Sequence, residues 1–160
     1  MTLICGTNIE EGFGLAFRII QDFNLTILKV YGLTAKYLAG YNRLACVKQL
    51  ISCITGNSQS ADDKNLCDEL LSLAIKTAVA TTQPPCSSQM KMTIDNLIQL
   101  INDVNLKIHC HISSGQLKSA YLLAVQHSRL NDVKKILRQA ELTNQIHIKR
   151  LCEKKLNINH

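Results

Sequence analysis

Tryptophan is missing from the 160 residues, Phe and Tyr together supply only 4% of them, and there are just two prolines and seven glycines. So few turn formers exclude an all-β sandwich or barrel, which needs Gly and Pro at its many tight turns. The seven cysteines (Cys5, Cys46, Cys53, Cys67, Cys86, Cys110, Cys152) are odd in number and contain no CxxC pair, which fits neither a disulfide framework nor a structural zinc site. They read as free thiols in a reducing compartment. Walker, dinucleotide-binding, HExxH and GxSxG motifs are all absent, so no motif announces a reaction and the expectation is a protein without catalytic residues or cofactors. No basic-then-apolar leader opens the chain, and its longest uncharged stretch, Thr77 to Met90, is mostly polar. The expectation is a soluble, cytoplasmic protein.

What is present points to helix. Hydrophobic residues make up 46% and charged ones 19%, too apolar a mixture for disorder and enough to bury one core. Leu, Ile, Ala, Lys and Gln dominate. The net charge of +6 is unevenly spread: residues 1–103 hold 8 basic and 9 acidic side chains, residues 104–160 hold 10 basic and 3 acidic ones, Asp132, Glu141 and Glu153. All five histidines also lie in the C-terminal part, which therefore gains further charge below about pH 6.5.

Apolar residues three and four apart recur along nearly the whole chain and predict an all-α fold of about seven to nine helices. The first runs from about Glu10 to Phe23, the second from Asn24 to Gly40, and the third from Asn42 to Thr55, with Gly56 as a left-handed cap. Asn24-Leu25-Thr26 spells a glycosylation acceptor, but Asn24 is read as the N-cap of the second helix. A fourth helix, 61–80, opens on Asp62 and Asp63, whose charges suit a helix N-terminus. The prolines Pro84 and Pro85 then make a Pro/Ser loop over 81–92. Thr93 is expected to cap a helix reaching about Asp103, with shorter helices at about 104–113, 116–127, 130–142 and 144–157 separated by turns at Gly115 and Ser128. The whole reads as one repeat domain, 1–160, with its first hairpins in 1–80 and basic hairpins in 93–160.

One internal match carries architecture. Arg43 to Ile51 aligns without gaps on Arg129 to Leu137, 86 residues later, so that Leu44, Val47, Leu50 and Ile51 correspond to Leu130, Val133, Ile136 and Leu137. Before them Ala35, Leu38 and Ala39 stand beside Ala120, Leu123 and Ala124. The predicted core is the eight residues of the two aligned stripes together with Leu97, Ile101, Ala120, Tyr121 and Ala124. Two similar helical hairpins are implied, and such hairpins bury their apolar faces by stacking on neighbours in an α-solenoid, tetratricopeptide-like array.

Two features could carry chemistry. His109-Cys110-His111 resembles a metal cluster, but adjacent helical side chains point about 100° apart. The reading is a buried cysteine between two surface histidines, without metal. The second is a basic ridge, Lys134, Lys135 and Arg138 on one helix and Lys149, Arg150, Lys154 and Lys155 on the next. It suits an acidic protein, nucleic acid or an anionic membrane surface. Nucleic acid fits less well, because Tyr121 alone supplies an aromatic ring in this third.

The string Asp103 to Val125, through Lys107-Ile108-His109-Cys110-His111 and Gly115-Gln116-Leu117-Lys118-Ser119-Ala120-Tyr121, resembles the C-terminal helical region of the spastizin family of FYVE-domain zinc finger proteins. Leu97 to Ile101, Gln21 to Leu25 and the hairpin through Arg43 to Ile54 follow in the same order, so the resemblance runs from about Gly12 to Leu156. It implies a tetratricopeptide-like scaffold that works with spatacsin and the fifth adaptor-protein complex on late endosomes and lysosomes. It further implies roles in autophagic lysosome reformation and in cytokinesis at the midbody or centrosome. The family reads phosphatidylinositol 3-phosphate through its FYVE domain, whose cysteine pairs and basic lipid-contact motif are absent from these residues, so no lipid or zinc residue carries over.

Overall fold

The computed structural model describes residues 9–57, 61–81 and 88–157. Pro84, Pro85, Cys86, Cys5 and His160 lie outside them. Within the described residues the apolar periodicity produces nine helices and no strand: α1 (Ile9–Asp22), α2 (Ile27–Gly40), α3 (Leu44–Asn57), α4 (Ala61–Thr81), α5 (Ser88–Gln99), α6 (Val104–Ser113), α7 (Leu117–Gln126), α8 (Leu130–Leu142) and α9 (Ile146–Lys155).

One device ends most of these helices. Asn24, Asn42, Gly115, Ser128 and Asn144 have φ of 49°, 58°, 77°, 55° and 53°. In each case the next residue donates its N–H to the carbonyl five positions back: Leu25 to Ile20, Arg43 to Leu38, Gln116 to His111, Arg129 to Ala124 and Gln145 to Ala140, at 2.8–2.9 Å. This is the Schellman closure, which satisfies the last helical carbonyls and needs a left-handed residue. Asn tolerates that region better than other side chains because its short amide can bond locally.

These turns correct several boundaries. Asn24 closes α1 instead of capping α2, whose N-cap is Thr26. Asn42 and Asn144 lie in turns, so α3 and α9 begin later than the sequence suggests. Gly56 lies inside α3 without positive φ, and the predicted C-cap is absent there. Thr93 is no cap either: α5 begins at Ser88, and the Thr93 hydroxyl donates to the Gln89 carbonyl at 2.9 Å, a back-bond that keeps a Thr within a helix. The expected loop over 81–92 therefore loses its second part to α5.

The internal match is a match of structure. Helices α3 and α8 start 86 residues apart at Leu44 and Leu130, α2 and α7 end 86 apart at Gly40 and Gln126, and the two Schellman bonds are both 2.8 Å long. The preceding helices keep the same offset, so Leu38 corresponds to Ala124 and Thr34 to Ala120, all four buried. Setting Leu38 beside Leu123 is thus one residue out of register.

Tertiary packing divides the chain into two compact units, 1–103 and 104–160, where the sequence suggests one domain with its break at 81–92. In the first unit α2 packs chiefly on α4, and α3 is covered by α1, α2, α4 and α5. Leu38, Leu50, Leu70, Leu71, Ile75, Ile98 and Ile101 are fully buried there. Gly32 permits the α2–α4 approach, since a Cβ at that position would stand 3.3 Å from Leu73 Cδ2. Asp68, on α4 and buried, accepts the N–H groups of Asn102 (2.9 Å) and Asp103 (2.7 Å), tying the segment after α5 to α4.

In the second unit each helix packs on the one before it, and α6 also meets α8 and α7 meets α9. Its core is Ile108, Leu117, Ala120, Ala124, Val133, Ile136, Ala140, Ile148 and Cys152, with Tyr121 and Leu137 half-buried against it. Leu130 departs from the predicted core: it is 50% exposed, whereas Leu44 in the equivalent place is buried. Helix α8 packs on α6, α7 and α9, and Leu130, its first residue, lies outside the core they form.

Candidate interaction surface

Helices α8 and α9 form an antiparallel hairpin whose inner stripes, Val133, Ile136 and Ala140 against Ile148 and Cys152, are buried. That burial turns the remaining positions outward, among them the seven basic residues of the ridge. Six are exposed and Lys149 is half-buried.

The structure sorts them into two groups. Lys135 donates to Asp132 Oδ1 at 2.9 Å and also to His109 Nε2 at 3.1 Å. The same His109 Nε2 lies 3.8 Å from Asp132 Oδ1, so imidazole, ammonium and carboxylate meet at one point. Lys149 meets Glu141 at 3.2 Å and Glu153 at 3.7 Å, which links α9 to the end of α8 and raises the Lys149 pKa, first through the hydrogen bond to Glu141. Lys134, Arg138, Arg150, Lys154 and Lys155 make no ion pair among the described residues. Lys154 and Lys155 also occupy the last turn of α9, where cations suit the helix dipole.

Asp132 anchors this arrangement, a role that a count of the three acids does not reveal. It is 1% exposed and accepts from Arg129 Nε at 2.6 Å as well as from Lys135. Burial pushes its carboxyl up, but hydrogen bonds and charge from Lys135 and Arg129 outweigh it and hold the group below the usual carboxylate range. The Arg-x-x-Asp-x-x-Lys spacing, which puts both cations one helical turn from the acid, was the available signal.

Elsewhere the candidate chemistry resolves into packing. His111 is buried, against the expectation of a surface imidazole, and its Nδ1 lies 2.6 Å from Gln116 Oε1 across the α6–α7 turn. Cys110 is buried as well, and His109 is exposed. Among the described residues no three His, Cys, Asp or Glu side chains are grouped to hold a metal ion. Burial first, and neighbouring acids second, push the Cys67 and Cys152 thiols up to about 11, so neither carries a thiolate at neutral pH. Among the described residues no helix is long and apolar enough to cross a membrane.

A family model for ZFYVE26-like TPR repeats matches residues 26–157, all of α2 to α9. The chain belongs to this family. Zinc finger FYVE domain-containing protein 26 of Homo sapiens is 28% identical over 99% of the chain, and that of Ailuropoda melanoleuca 27% identical over 99%. The Bos taurus protein is 30% identical over 79%. These are the spastizin proteins that the residues around 94–125 resemble. The chain spans only about 6% of the length of these curated relatives. No solved structure matches it. Family membership fits the observed all-α hairpin repeat, and α1 stands N-terminal to the matched region.

Proposed function

We propose that the chain is a non-catalytic scaffold that captures protein partners on the outward face of its second unit. The observation that carries this reading is the concentration of charge: residues 104–160 hold ten basic side chains against three acidic ones, and Lys134, Arg138, Arg150, Lys154 and Lys155 make no ion pair among the described residues. A stacked helical array offers such a face on a rigid support and needs no catalytic group. By its family, the partners are spatacsin and the fifth adaptor-protein complex, the place is the late endosome and lysosome, and the processes are autophagic lysosome reformation and cytokinesis at the midbody or centrosome. Membrane association is indirect in this reading, and phosphatidylinositol 3-phosphate is left to a FYVE domain.

The test is a pull-down with the purified chain at low and moderate salt, alongside a triple variant Lys134→Glu, Arg138→Glu, Arg150→Glu with unchanged helicity. Recovery of spatacsin or adaptor subunits that survives moderate salt and falls in the variant is expected. Recovery of nucleic-acid-bound proteins alone, lost as salt rises, would assign the ridge to polyanions, and equal capture by both chains would remove it as a contact surface.

A further inference from the structure

Helix α2 is apolar over more of its circumference than its neighbours cover. It packs on α4 and α3 through a buried stripe that includes Tyr31, Ala35 and Leu38. A second row follows at steps of three and four: Val30, Leu33, Tyr37 and Tyr41. At 3.6 residues per turn this row covers about 80° of the helix surface beside the buried stripe. Val30 is half-buried, but Leu33 is 50%, Tyr37 39% and Tyr41 68% exposed, and the rings of Tyr37 and Tyr41 pair with centroids 4.6 Å apart. A helix apolar nearly all round belongs in a core, and here one side of it meets solvent. The far edge of the row is basic. Lys29 and Lys36 stand about 40° and about 60° around the axis from Leu33, on the side away from Tyr37. Both are exposed, and neither makes an ion pair among the described residues. No Asp or Glu occurs between Asp22 and Asp62, so α2 and α3 offer these ammonium groups no carboxylate.

We infer that this face of α2 docks an acidic amphipathic helix, with an aliphatic row against Leu33, Tyr37 and Tyr41 and carboxylates against Lys29 and Lys36. The inference stands apart from the basic residues of α8 and α9. Side chains at steps of three and four form the ridges that interdigitate when two helices pack, and tyrosine is among the residues that anchor interfaces. Lys29 and Lys36 lie two turns apart, about 10.5 Å along the axis, so two carboxylates seven residues apart on the partner reach both. A second copy fits less well, because α2 brings no carboxylate of its own to the lysines. A lipid surface also fits less well. A membrane lying flat against Leu33 would strip water from both ammonium groups at its side.

The experiment uses the full chain and fluorescence anisotropy at about 0.15 M salt, where charges farther off than about 8 Å are largely screened. One synthetic helical peptide carries a row of Leu at steps of three and four, flanked by Glu residues seven apart, and a second has Lys in place of Glu. Two double variants accompany the wild type. Leu33→Gln with Tyr37→Gln changes exposed positions to a good helix former, Lys29→Glu with Lys36→Glu reverses the charge, and both are checked by circular dichroism. The expected result is that the glutamine variant weakens binding of the Glu peptide about tenfold or more, and that the charge variant prefers the Lys peptide. Binding that falls in the glutamine variant while the charge variant still prefers the Glu peptide overturns the inference, because the partner's acids are then not read by these lysines. No binding to the wild type, or binding that ignores both variants, overturns it outright. A dimer of the chain alone in sedimentation velocity, lost in the glutamine variant, overturns it in favour of a second copy. Tighter retention on phosphatidylserine vesicles than on the Glu peptide, lost in the same variant, overturns it in favour of lipid.

Discussion

Asp132 is the residue on which the second unit's polar architecture turns, because its buried carboxylate holds a guanidinium and an ammonium at once. With its pKa lowered from 3.8, its contribution to stability is fully present above that value and fades as pH falls through the lower folded one. Asp132→Asn is expected to cost about 1–3 kcal/mol at neutral pH. In urea titrations the gap between wild type and variant then closes as the pH drops below about 4, and a gap independent of pH would show that the carboxylate's charge is not what stabilises. The opposite sign is expected at Tyr31, whose ring packs on Phe13 with centroids 5.4 Å apart but whose buried hydroxyl finds no hydrogen-bond partner among the described residues. Tyr31→Phe removes that unsatisfied group and should raise stability by about 1 kcal/mol, so a lower melting temperature would reveal a bond the hydroxyl makes after all.

At the scale of the element, the turns decide where helices stop, and they were the least legible part. Helix existence followed from apolar periodicity, and α6 and α8 have the bounds the sequence predicts. The ends did not follow, because an Asn before an apolar run suits two opposite roles, capping the next helix or closing the last one by a left-handed conformation. Gly115 was readable as a turn because it interrupts the apolar periodicity between two helical runs, whereas Gly56, read as a cap, lies inside α3. The Gly115 backbone, at φ 77° with nothing within 4 Å of an added Cβ, isolates the conformational cost. Gly115→Ala should lower stability by about 1 kcal/mol, and Ser128→Gly, which relieves a left-handed serine, should not lower it. Burial was legible in the middle of both matched helices, as at Val47 and Val133, and failed at the first residue of α8, Leu130, which stays exposed although Leu44 in the equivalent place is buried. Val133→Asp is accordingly expected to cost about 4 kcal/mol or more, and Leu137→Asp, at a half-buried place, clearly less. Equal losses in a thermal melt would contradict the packing described.

For the molecule as a whole, counting charges along the chain located the basic part correctly, and the count divides at the same place as the packing, between residues 103 and 104. Which cations remain available could not be counted, because the pairing of Lys149 with Glu141 depends on α8 meeting α9. The consequence concerns rates. A surface carrying unpaired charge of one sign steers an acidic partner during approach, and that attraction is screened by salt, whereas contacts made at close range govern how long the complex lasts. Raising ionic strength from about 0.05 to about 0.5 M should therefore slow association of an acidic partner by about tenfold and leave its dissociation rate nearly unchanged. Stopped-flow association and dissociation traces at the two salt concentrations separate the effects, and an association rate indifferent to salt would mean that the excess positive charge of residues 104–160 plays no part in capture.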